Sequence, residues 1–126
     1  VRDLRIGVDL VDVPAFEARF AGRAEALAEI FTEAELAYCR GQRRPWRHLA
    51  ARFAAKEALL KALMSGLTGA MTWRDIEVTR DPAGAPGLSV TGATGAALRA
   101  KGLAASSVSL SHTTAHAIAV VLIIPA

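Results

Sequence analysis

WRHLAARFAAKEALLKALM, residues 46–64, is the stretch from which the rest of the chain can be placed. It is dense in Ala, Leu, Arg and Lys, follows Pro45 and ends before Ser65 and Gly66, so it predicts the longest helix of the chain. Phe53, Glu57, Leu60 and Met64 recur at steps of four, three and four, which lines them along one helical stripe. Glu57 therefore lies on an apolar face. An ionised carboxylate there needs a cation, a metal or a hydrogen-bond donor, or else holds its proton to a higher pH.

On the N-terminal side, Leu4 to Val13 is nearly continuously apolar and predicts a strand with Ile6, Val8 and Leu10 on one face and Gly7, Asp9 and Val11 on the other. Asp9 is thus a second carboxylate among apolar neighbours. Pro14 suits the first turn of a helix, and two short helical pieces, 15–20 and 24–30, break near Gly22. Thr32 followed by Glu35 has the spacing of a capping box, and Gly41 is placed to stop that helix. Arg40 to Arg47 is a basic connector into the long helix.

On the C-terminal side, 73–79 alternates as a half-buried strand, Asp81 to Gly87 holds two Pro and two Gly and predicts a hairpin turn, and 88–90 returns. A helix over about 94–101 stops at Gly102. Strands over 107–111 and 116–124 follow, and the last is apolar on both faces, as a central strand would be. The expected fold is α+β, one domain over residues 1–126 with an antiparallel sheet packed by helices.

Composition narrows the function classes. The 126 residues are 52% apolar and 21% charged, enough to close one core. Cys39 is the only cysteine, which excludes a disulfide framework or a four-ligand zinc site and favours a reducing, cytoplasmic setting. Any metal is expected to be held by oxygen. The longest apolar run, 117–125, is too short to span a bilayer, and the N-terminus has no signal-peptide pattern. A formal net charge of +3 suits an anionic ligand or an acidic partner without requiring nucleic acid.

Two uses of the carboxylates stand open. Asp9 and Glu57 could converge on one hard divalent cation that keeps several waters, the habit of Mg²⁺. Alternatively Glu57 pairs with Lys61 one turn on, and Asp9 caps a neighbouring helix. Arg52, Lys56 and Lys61 could neutralise a phosphate or simply face solvent. His112 ends a strand among Ser109, Ser111, Thr113 and Thr114, a place for phosphate contact, proton transfer or a structural role. Gly84 and Pro86 read as turn residues. Neither a P-loop nor a G-x-G-x-x-G pattern is present, and Arg40, Arg43, Arg44 and Arg47 with Trp46 lack a nucleic-acid recognition module.

Together, Ile6-Gly7-Val8-Asp9-Leu10, Arg52-Phe53-Ala54-Ala55-Lys56-Glu57-Ala58 with Lys61, and Ser109-Leu110-Ser111-His112-Thr113 resemble the holo-acyl-carrier-protein synthases, the short type of 4′-phosphopantetheinyl transferase. Phe31-Thr32 with Glu35-Leu36, Asp75-Ile76-Glu77-Val78 and Gly84-x-Pro86 extend the resemblance over nearly the whole chain. It implies transfer of phosphopantetheine from coenzyme A to a serine of an acyl carrier protein, with release of adenosine 3′,5′-bisphosphate. It implies Asp9 and Glu57 as Mg²⁺ ligands and, with Lys61, as the catalytic group. Arg52, Lys56, Lys61, Gly84, Pro86, His112 and Thr113 are implied around coenzyme A, and the serine proton passes to Glu57 or to a water on the metal. Family members of this type form trimers with sites between subunits. Ala15 stands where many relatives carry an Arg that meets the carrier, which leaves Arg19 or Arg43 and Arg44 to do so. The competing reading is a binding module for coenzyme A or a carrier protein without turnover.

Overall fold

The computed structural model describes residues 4–126. The chain begins with β1 (Arg5–Asp12) and passes through four helices, α1 (Val13–Phe20), α2 (Ala24–Ile30), α3 (Glu33–Arg40) and α4 (Pro45–Leu63). A 3₁₀ turn at Trp73–Asp75 leads to β2 (Ile76–Arg80) and β3 (Pro86–Val90), then α5 (Gly92–Ala100), β4 (Leu103–His112) and β5 (His116–Pro125). All strand pairs are antiparallel, in a three-stranded sheet of order β1-β5-β4 and a two-stranded sheet β2-β3. This is the expected α+β architecture, with β5 central. Among the described residues no helix is long and apolar enough to cross a membrane.

Local chemistry explains the boundaries. Thr32 and Glu35 form the reciprocal capping box at the start of α3. The carboxylate that caps α1 is Asp12, whose Oδ1 accepts from the Ala15 backbone N–H at 2.8 Å, and not Asp9. β4 begins at Leu103, four residues before the expected Ser107, because a bulge at 105–107 absorbs the register shift that the alternation concealed.

Helix α4 packs on the face of the three-stranded sheet that carries Ala117, Ala119, Val121 and Ile123, and its small residues Ala54, Ala55, Ala58 and Ala62 are fully buried there. Gly7 lets β1 run directly against the helix: a Cβ at that position would overlap the carbonyl of Ala58. The opposite face presents Ile6, Val8, Leu10, Ile118 and Val120 outward, 38 to 65% exposed. Met64 departs from the expected buried stripe. It closes α4 in the left-handed region, φ +61°, and its side chain is exposed.

Candidate active site between strand β1 and helix α4

The close approach at Gly7 brings Asp9, two residues along the same face of β1, to the side of α4 that carries Glu57 and Lys61. The Lys61 Nζ donates to Asp9 Oδ1 at 2.9 Å and to the Val8 carbonyl at 3.1 Å. The expected i to i+4 ion pair between Glu57 and Lys61 is replaced by this cross-element pair. Burial, and then the negative charge of Asp9, push the Glu57 carboxyl above the usual carboxylate range, while Lys61 pulls the other way. The bond to Asp9 in turn raises the Lys61 ammonium. Among the described residues no three His, Cys, Asp or Glu side chains gather into a metal cage. Two crowded carboxylates remain, short of compensating positive charge. That is a donor set of hard oxygens which fits Mg²⁺, a cation that keeps waters and completes its shell with substrate oxygens.

Arg52, His112 and residues unseen in the sequence form a second, cationic group. His112 on β4 pairs with Ala117 and Asp9 on β1 with Ala119, both across β5, so the two share the sheet face that meets α4, roughly 12 Å apart by strand spacing. The His112 ring meets His48 at 4.8 Å, and His48 meets Tyr38 at 5.8 Å, both edge-on. Tyr38 is in turn covered by the Arg52 and Arg80 guanidiniums, each 4.4 Å from its ring centre, and Arg80 also donates to its hydroxyl. Burial, then neighbouring positive charge, lowers both histidines below the ordinary imidazole value. His48 lies one turn before Arg52 on the same stripe of α4, the one signal that could have found it.

Lys56 does not face a ligand phosphate. It is fully buried, its ammonium bonded to Glu35 Oε1 at 2.8 Å, to the Trp73 carbonyl at 3.2 Å and to the Ile76 carbonyl. Glu35 completes the knot by accepting from the Val78 backbone N–H at 2.9 Å. The expectation that Lys56 lines the site is therefore corrected: helix periodicity turns it some 100° away from Glu57, into the core. Gly84 sits at the tip of the β2–β3 hairpin with φ +92°, beside the Arg80 guanidinium, and Pro86 opens β3 in solvent. Thr113 holds the β4–β5 turn, its Oγ1 accepting from the Ala115 and His116 N–H groups.

The family model of the 4′-phosphopantetheinyl transferase superfamily matches residues 5–121, a span that takes in both groups of side chains. The chain belongs to this superfamily. Among its relatives, a holo-acyl-carrier-protein synthase of Moorella thermoacetica is 42% identical over 120 residues, covering 95% of this chain and 93% of the relative. A synthase–coenzyme A complex of Chronobacterium ammoniagenes superimposes with a TM-score of 0.85 at 26% identity, covering 98% of each chain. The Helicobacter pylori synthase in complex with coenzyme A gives 0.81 at 27% identity, covering 94% of this chain and 99% of that one. Family and fold thus agree with the resemblance in the three sequence motifs.

Proposed function

We propose that the protein, as one domain over its 126 residues, transfers the 4′-phosphopantetheine of coenzyme A to a serine of an apo-acyl carrier protein. The observation that carries this reading is the juxtaposition of Asp9, Glu57 and Lys61 in a chain 42% identical to a holo-acyl-carrier-protein synthase. In the reaction the serine oxygen bonds to the β-phosphorus of coenzyme A as the bond from that phosphorus to the bridging oxygen breaks. Adenosine 3′,5′-bisphosphate leaves, and the serine proton goes to a base. Such a displacement is governed by positioning and charge neutralisation.

Asp9 and Glu57 would hold Mg²⁺, which when bound supplies positive charge to the pyrophosphate oxygens. Lys61, half-exposed and already raised by Asp9, is placed to neutralise the same anion. The serine proton goes to a carboxylate oxygen of Asp9 or Glu57 that the cation leaves free, or to solvent. Arg52 and His112, with the hairpin residues Gly84 and Pro86 and the turn residue Thr113, are assigned to the nucleotide end of coenzyme A. Exposed Arg43 and Arg44 offer charge to an acidic carrier, since α1 presents Ala15.

A homotrimer with sites between subunits is part of the same proposal. Its support is the outward apolar face of β1 and β5, which a soluble monomer would leave wet. Light scattering that finds an active monomer removes it.

The test of the transfer is intact-mass spectrometry of an apo-carrier protein incubated with this protein, coenzyme A and Mg²⁺, beside an EDTA control. A magnesium-dependent gain of one phosphopantetheine, lost when the carrier serine is replaced, is the expected result. Coenzyme A binding with no mass gain on fatty-acid or polyketide carriers would replace the transferase by a binding module.

A further inference from the structure

A cleft of about 310 Å³ opens between the connector before α4 and the end of β4, lined by Gln42, Arg43, Arg44, Arg47, His48 and His112. Among the described residues no carboxylate lines it. Arg47 and His48 lie in the first turn of α4, where the helix dipole adds positive potential. Among the described residues, the charged groups that act on the two imidazoles are all cationic. Arg43 and Arg44 approach from the connector, Arg47 and Arg52 from α4, and Tyr38 from α3 with Arg80 of β2 behind it. Arg47 is partly engaged, donating to Thr114 Oγ1 at 2.6 Å. The Nδ1 of His112 and the Nε of Arg52 are buried without a hydrogen-bond partner. Three guanidiniums around an open cleft with no carboxylate among its lining have one chemical complement, a multiply charged anion.

We propose that His48 is a further binding residue of this cleft, acting with His112 as a pair that takes up a proton from solvent when a phosphate group of the substrate enters. The proposal rests on the transferase reading above, which makes that phosphate one of coenzyme A. The physical reason is the contact between the rings. In the empty cleft two adjacent imidazoles amid four guanidiniums are held neutral, because each further positive charge is repelled. An entering phosphate reverses that balance, so one imidazole gains a proton and a charge-assisted bond. Binding is therefore tighter on the acid side of neutrality, as long as the phosphate stays doubly charged. Phosphate monoesters do so above about pH 6.

The test is calorimetric titration of the full chain with coenzyme A between pH 6.5 and 8.5, in two buffers of different ionisation heat so that protons are counted. Wild type is compared with His48→Phe, which keeps an aromatic ring against His112 but cannot titrate. The expected result is net proton uptake by wild type, reduced in H48F. The variant's affinity should fall about tenfold at pH 6.5, the ratio that corresponds to one charge-assisted hydrogen bond, with the gap narrowing toward pH 8.5. Equal proton counts and equal affinity ratios at both ends of the range would overturn the proposal. If H48F does not fold, histidine NMR of wild type decides: coenzyme A must shift the titration of His48 or of His112 upward, and two unmoved imidazoles overturn it. Magnesium-dependent transfer by the same preparation, alongside no proton uptake, sinks this inference alone. Absence of any coenzyme A binding sinks the transferase reading with it.

Discussion

Helix α4 carries two lysines five residues apart, each paired with a carboxylate from another element, and the two pairs do opposite things. Lys56 and Glu35 have no exposed side-chain surface, and every charge is met by backbone and side-chain partners from α3, the 3₁₀ turn and β2. Lys61 and Asp9, at 56 and 16% side-chain exposure, are open to solvent, and Glu57 stands beside them. A buried, fully bonded pair can only clamp; an open pair beside a crowded carboxylate can exchange its partner for a metal or a pyrophosphate. Both are a lysine ammonium with a carboxylate. Burial decides which pair is scaffold and which is site.

The comparison breaks first at Lys56. Lys56→Met strands the Glu35 carboxylate in the core and should lower unfolding stability by about 3–5 kcal/mol, read by urea denaturation. A loss no larger than a surface substitution would show that the pair is not a clamp.

Next in size is Glu57→Gln, which removes the carboxyl beside the open pair. Magnesium-dependent transfer should fall by more than about a hundredfold, and activity retained in the mass assay would end the assignment of Glu57. Its effect on stability has the other sign. Because the folded carboxyl titrates above the usual value, the folded state binds more protons than the unfolded one in the window between the two, and stability contributed by Glu57 falls as pH rises through it. E57Q should therefore be no less stable than wild type at neutral pH, with its advantage gone below the ordinary carboxylate range. A variant whose stability relative to wild type is lower at neutral pH than in acid would reverse that sign.

Lys61→Met sharpens the contrast further. An exposed pair contributes at most about 1 kcal/mol, so the melting curve should hardly move while kcat/KM for coenzyme A drops by about tenfold, the ratio for one charge-assisted contact. Equal losses of stability at Lys56 and Lys61 would erase the distinction between the pairs. The smallest effect is at the end of the same helix. Met64 holds a left-handed conformation that only glycine adopts without strain, and Met64→Gly should stabilise by about 1 kcal/mol, measured by thermal unfolding.

How much of this was legible in the sequence depended on whether a residue's partner was local. The capping box at Thr32 and Glu35 was legible because its donors and acceptors lie within one turn. That Glu35 also receives Lys56 was not, since the pair closes over 21 residues and a capping carboxylate is ordinarily solvated. Asp9 and Glu57 were conspicuous as acids in apolar stretches. Arg52 and Lys56 looked alike, two basic residues one turn apart, and both are buried, yet Arg52 stacks on Tyr38 while Lys56 is bonded to Glu35. His48 drew no attention, because its neighbour His112 arrives from a strand 64 residues later.

The sequence by itself determined the periodicities, caps and turn residues, hence the order of elements and the α+β class, because those rest on forces within a few residues. Its spaced motifs also pointed to the family. Only the tertiary structure decided which charges are buried, which two histidines touch, and that Lys61 turns to Asp9 instead of Glu57. Those outcomes depend on desolvation and on through-space distance, which are set by how α4 lies on the sheet and not by any spacing along the chain.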